Sequence, residues 1–76
     1  MTTRCKLTID SLKENNGEVQ LFARAVYSQD PESENAKFFA ATPYGELKLG
    51  VVRKESLGDL AVGDEIYIDI SKAPKE

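Results

Sequence analysis

The residues able to do chemistry in this chain are few. There is no histidine, so the usual proton shuttle of neutral-pH catalysis is missing. Cys5 is the single cysteine. It alternates with Leu7 and Ile9, and with no imidazole to activate it, it reads as a small buried hydrophobe rather than a nucleophile. One thiolate cannot make a tetrahedral zinc set, nor can it close a disulfide within the chain. Asp30, Glu32 and Glu34 alternate in a way loosely like calcium ligation, but a calcium loop needs glycine at its sixth position. Asn35 stands there instead, so the segment reads as a solvated acidic loop. Gly17, Gly45, Gly50, Gly58 and Gly63 are scattered and match no phosphate-binding spacing. The expectation is a protein that is not an enzyme and needs no cofactor or metal.

What remains is the chemistry of contact. The outward strand positions carry Arg4, Lys6, Phe22, Arg24, Phe38, Lys48 and Tyr67. Aromatic rings interleaved with cations on a sheet suit single-stranded nucleic acid, whose bases stack while its phosphates follow the charges. The same faces carry Asp10, Glu18, Glu46, Glu65 and Asp69, which weakens that reading. Outward Phe22, Val26 and Phe38 fit a protein interface better, since interface centres favour aromatics and arginine. Tyr44, at the tip of a turn, joins them as a candidate contact residue. Protein contact is therefore the leading expectation and single-strand binding the alternative.

These residues need a frame, and the period of the apolar positions supplies one. It is two almost throughout, the signature of strands. Cys5, Leu7 and Ile9 face inward from a first strand, and Val19, Leu21, Ala23, Ala25 and Tyr27 from a second. Asn15-Asn16-Gly17 between them can take the positive φ values of a tight hairpin turn. Residues 29–36 break the alternation as a surface loop. A third strand is predicted over 37–42, with Phe39 inward and Phe38 outward, and a fourth over 46–52, with Leu47, Leu49 and Val51 inward. Pro43-Tyr44-Gly45 would turn one into the other as a second hairpin. Residues 55–63 allow one helical turn, capped by Ser56, with Leu57 and Leu60 pointing the same way. A last strand over 64–71 sets Ile66, Ile68 and Ile70 against Glu65, Tyr67 and Asp69. The whole reads as all-β: a five-stranded antiparallel barrel, SH3-like or OB-like, with one short helical turn before the last strand. The position of that turn favours the SH3-like form.

Seventy-six residues make one domain, residues 1–76, with a marginal core. With disulfide and metal excluded, self-association is the support left open, as a homodimer or higher oligomer. A net charge of −3 and a pI near 4.9 argue against a duplex-DNA binder, which needs a basic excess. No apolar run approaches the ~20 residues that span a bilayer. The lone cysteine and the absence of a signal-peptide pattern fit a reducing cytoplasm.

Several of these segments also resemble a family of small phage-encoded proteins of uncharacterised role. The likeness is carried by Ala25-Val26-Tyr27-Ser28, the acidic loop, Phe38/Phe39, Ala41-Thr42-Pro43-Tyr44-Gly45-Glu46-Leu47 and the ending Gly63…Tyr67…Asp69…Ala73. It covers roughly residues 19–73 and departs at Ile66 and Ile70, where aromatics are expected. The resemblance implies action in the cytoplasm of a host cell by binding a host enzyme, a defence complex, a nucleotide signal or single-stranded DNA. The acidic charge leans toward a protein target, with inhibition of a host or defence function as one form that contact could take. Decoration of the virion is a further reading it allows.

Overall fold

In the computed structural model, residues 3–51 and 54–75 are described. The chain runs β1 (Thr3–Asn15), β2 (Glu18–Ala25), α1 (Glu34–Ala41), β3 (Glu46–Val51), a 3-10 turn (Lys54–Leu57) and β4 (Glu65–Ile70). The four strands form one antiparallel sheet in the order β3-β2-β1-β4. Among the described residues it is mostly β as expected, but it is an open sheet of four strands and not a closed barrel of five.

The β1–β2 hairpin forms as the Asn-Gly pair requires. Asn16 has φ 55° and Gly17 φ 83°, the left-handed pair whose twist matches that of two flanking strands. Past Ile9 the register of β1 shifts against β2. Asp10 is the extra residue of this bulge, and it swaps the sequence of faces: Leu12, not Ser11, returns to the core side.

The largest departure lies at 37–42. The predicted third strand is the body of an α-helix instead. Ser33, in extended conformation, caps it by accepting the N–H of Ala36 at 3.1 Å. Glu34 in the first turn complements the helix dipole, and three of the eight helical residues are alanine, the best helix former. Pro43 ends it, because the residue before a proline is pushed out of helical geometry; Thr42 accordingly has ψ 81°. The predicted second hairpin is therefore absent. Pro43-Tyr44-Gly45 links the helix to β3, with the Ala25 N–H donating to Gly45 O at 2.9 Å.

The core lies on one face of the sheet. Leu7, Ile9, Leu21 and Ala23 form its centre, with Cys5, Leu12, Leu47, Leu57, Leu60, Ile66 and Ile68 packed around them. Leu57, at the end of the 3-10 turn, and Leu60, just beyond it, do both pack onto this face. Ser56 sits inside that turn and not at its start. Leu49, expected inward, is half exposed at the free edge of β3, because among the described residues no fifth strand pairs with that edge. Helix α1 packs on the opposite face, against β1 and β4.

The result is flat. Its extents are 42 × 35 × 18 Å and its radius of gyration 14.0 Å, against about 11 Å for a compact chain of this length. Its accessible surface is 6126 Å², where a compact chain of its mass would expose about 4,600 Å². The open sheet contributes to both, together with exposed segments off the sheet such as residues 71–75.

Candidate functional site

On the core face, the 3-10 turn covers only half of the sheet. Leu57 and Leu60 sit beside Leu12 and Val19, leaving the other half uncovered. There Cys5, Leu7, Ala25, Leu47, Ile68 and Ile70 line an open apolar cleft of about 170 Å³, rimmed by Thr42, Gly45 and Glu46. Its walls come from all four strands, so the sheet curls around it. Ile70 remains 56% exposed. Thr42 and Glu46 are its polar side chains, and the rest of its lining is apolar apart from the Cys5 thiol, so it mainly offers surface to apolar groups.

On the other face, α1 builds a polar network. The Lys6 ammonium lies 3.6 Å from Glu34 and 3.5 Å from Glu65, with its side chain only 9% exposed. The Tyr67 hydroxyl donates to Glu34, and Asn35 donates to Glu65 at 2.5 Å. Phe38 leans on the Tyr67 ring at 6.0 Å. Glu34, Asn35 and Phe38 recur at the spacing that gives an α-helix one face, and that face meets β4. Beyond it, Arg4 forms two parallel bonds to Asp69, at 2.6 and 3.0 Å, while its guanidinium lies 4.9 Å from the centre of the Tyr67 ring. These are fork-on-carboxylate and cation–π contacts on an exposed strand pair.

The network sets its own titration. The bond from Tyr67 holds the Glu34 carboxyl below its ordinary range, helped by the Lys6 charge. The same bond pushes the Tyr67 hydroxyl up, with burial adding to it. Arg4 likewise lowers Asp69. For Glu34, whose value is depressed on folding, the contribution is present above the ordinary carboxylate range and lost as pH falls. For Tyr67, whose value is raised, it is present below pH 10 and lost as pH rises beyond. Docking of α1 is thus strongest between these limits. In Tyr67→Phe, the Glu34 carboxyl is expected to titrate closer to its ordinary range, read by NMR of its side-chain carbon. An unchanged midpoint would contradict the Tyr67–Glu34 bond.

The sequence candidates divide into two groups. Phe22 lies directly across from Lys48, beside Ser11, Lys13 and Gln20 in a shallow depression, on the part of the face that α1 leaves open. Arg24, the next outward position, pairs with Asp10. Phe38 and Tyr67 are together but apart from these, beneath and beside the helix. Phe38 was expected outward on a strand with Lys48; on α1 it faces Tyr67 instead. Tyr44 is 85% exposed on the link into β3. Val26, expected outward, is buried at 3%, where the chain leaves the sheet with its N–H donating to Lys6 O. Phe39, expected to fill a barrel, packs edge-on against Tyr27 at 4.9 Å; Tyr27 itself, expected inward, is exposed. The acidic loop does not converge on one point: Asp30 accepts the N–H of Glu32, while Glu34 turns to Tyr67.

Sequence reasoning missed the cleft. Its signal was present in the inward set of Cys5, Leu47, Ile68 and Ile70, which a closed barrel would have hidden. Compared with protein-family models, curated proteins and solved structures, the chain finds no match in any of the three.

Proposed function

We propose that this chain is a non-enzymatic binding protein that works by protein contact. The observation that carries the reading is the uncovered apolar half of its sheet. Beside the cleft between Leu47 and Ile70, Leu49 stands half exposed two residues along the same face of β3, and exposed apolar surface of this kind on a small domain marks a contact surface. The surplus of surface supports it too. The chain exposes about 1,500 Å² more than a compact one of its mass, and a standard interface takes about 800 Å² per partner. The resemblance to small phage-encoded proteins adds a setting to this reading, with a host or defence protein as target.

The alternative, stacking of a single nucleic-acid strand, is less well served. Phe38 and Tyr67 turn toward each other, and Phe22 stands apart from both, so the rings make no continuous row of platforms.

The test places a charge in the cleft. Leu47→Asp and Ile70→Asp are expected to abolish capture of the partner from extract of the infected host. Separately, a labelled oligonucleotide at low salt is expected to stay free. Unchanged capture by both folded variants would sink the reading. Binding of the oligonucleotide that fades steeply with salt would favour the alternative.

A further inference from the structure

The sheet is open because β3 and β4 each have one free edge, and the two edges fit each other. The Ala25 N–H donates to Gly45 O and the Ile9 N–H to Asp64 O. Antiparallel ladders alternate between bonded and non-bonded pairs. Continued along each register, that alternation turns the backbone groups of Glu46, Lys48 and Gly50 outward on β3, and those of Glu65, Tyr67 and Asp69 outward on β4. Because every junction in β3-β2-β1-β4 is antiparallel, β3 and β4 run in opposite directions. A β4 edge can therefore add to the β3 edge of another copy as one more antiparallel strand.

One register satisfies both edges at once. Setting Lys48 opposite the partner's Asp69 places two outward-bonding residues face to face and opposite charges side by side. It also sets Gly50 opposite the partner's Tyr67, so no side chain there crowds the ring that α1 and Arg4 already hold. On the core face it sets Leu47 against the partner's Ile70 and Leu49 against the partner's Ile68. These include two of the large apolar residues that the isolated chain leaves exposed, Leu49 and Ile70.

Three symmetric registers are worse. Pairing β4 with itself about Tyr67 puts Glu65 opposite the partner's Asp69, two like charges. Pairing β3 with itself about Lys48 sets lysine against lysine, and about Leu49 leaves Lys48 facing glycine.

We propose that the partner of this surface is a second copy of the chain, joined β3 to β4 at both edges. Head-to-tail contacts must close or run on as a filament. Two copies close as an eight-stranded barrel, the size at which side chains fill the interior. The core faces then meet inside, with the cleft shut, while α1 and the Lys6 network stay outside. The proposal rests on the protein-contact reading and deepens it: the second copy holds the cleft, and a foreign partner would have to displace it.

Sedimentation of the unaltered chain across concentrations is expected to give twice 8.4 kDa. Lys48→Glu, which faces the partner's Asp69 with a like charge, is expected to weaken the pair by roughly tenfold or more. The arrangement is read by cross-linking in a Cys5→Ala background, with one chain carrying Lys48→Cys and another Asp69→Cys. Oxidation is expected to join the mixture and neither chain alone. A disulfide in the Lys48→Cys chain alone would mean edge-to-identical-edge contact and overturn the proposal, as would a larger ring or filament. A monomer at all concentrations would overturn it too, but would leave the protein-contact reading standing if the cleft variants still lose their foreign partner.

Discussion

Ile9→Ala is expected to cost about 2–5 kcal/mol of folding stability, the largest loss from any single truncation in this chain. Ile9 is 1% exposed and is the largest side chain fully buried among the described residues. It stands opposite Ala23 on β2, and its N–H and C=O tie β1 to the chain just before β4, through Asp64 and Gly63. The alanine leaves those backbone bonds intact, so the loss is one of packing alone. A domain of this length holds roughly 4–11 kcal/mol in total, so the variant sits near its limit. Urea denaturation at fixed protein concentration measures it, the concentration being held because association also stabilises. A loss under 1 kcal/mol would show that the β1–β2 core is not where the stability resides.

Ala23→Leu is expected to be nearly as damaging from the opposite direction, about 1–3 kcal/mol. Ala23 is 0% exposed, with Ile9 paired on one side and Leu47 on the other. Three added carbons have nowhere to go without moving one of these strands. Two residues along, Ala25 faces the same way but lines the cleft. Ala25→Leu is therefore expected to fold nearly as well as the natural chain while filling the cleft and weakening whatever binds there. The contrast between the two alanines, by thermal melting and by sedimentation, separates packed core from open surface. Equal damage from both would mean that Ala25 is packed within a single chain as tightly as Ala23.

The hairpin and the last strand were legible because their signals are local. Asn16-Gly17 dictates its own turn, and Ile66, Ile68 and Ile70 alternate without interruption. The helix was misread for a physical reason. Its cues were present in Ser33, Glu34, the alanines and Pro43, but adjacent Phe38 and Phe39 suggest a strand, and they favour one only if something lies on both sides of it. Replacing that strand by a helix removed the second hairpin and with it the closure of the barrel. The site residues followed: those on β1, β2 and β4 kept their faces, whereas Phe38 and Phe39 moved to α1 and Val26 went under. The pairing of Arg4 with Asp69 could not be read from the sequence at all, since it depends on the β1–β4 register across almost the whole chain.

The enclosure of Lys6 turns one amine into a clock. Lys13, Lys37, Lys48, Lys72 and Lys75 are exposed, whereas Lys6 is held beneath α1 between Glu34 and Glu65. An acylating reagent reaches the exposed amines at once but Lys6 only when the helix lifts. Local opening of this kind occurs at its own free energy, apart from global unfolding. The rate at which the peptide containing Lys6 gains mass, against its exposed neighbours, thus times the departure of α1 in the intact protein.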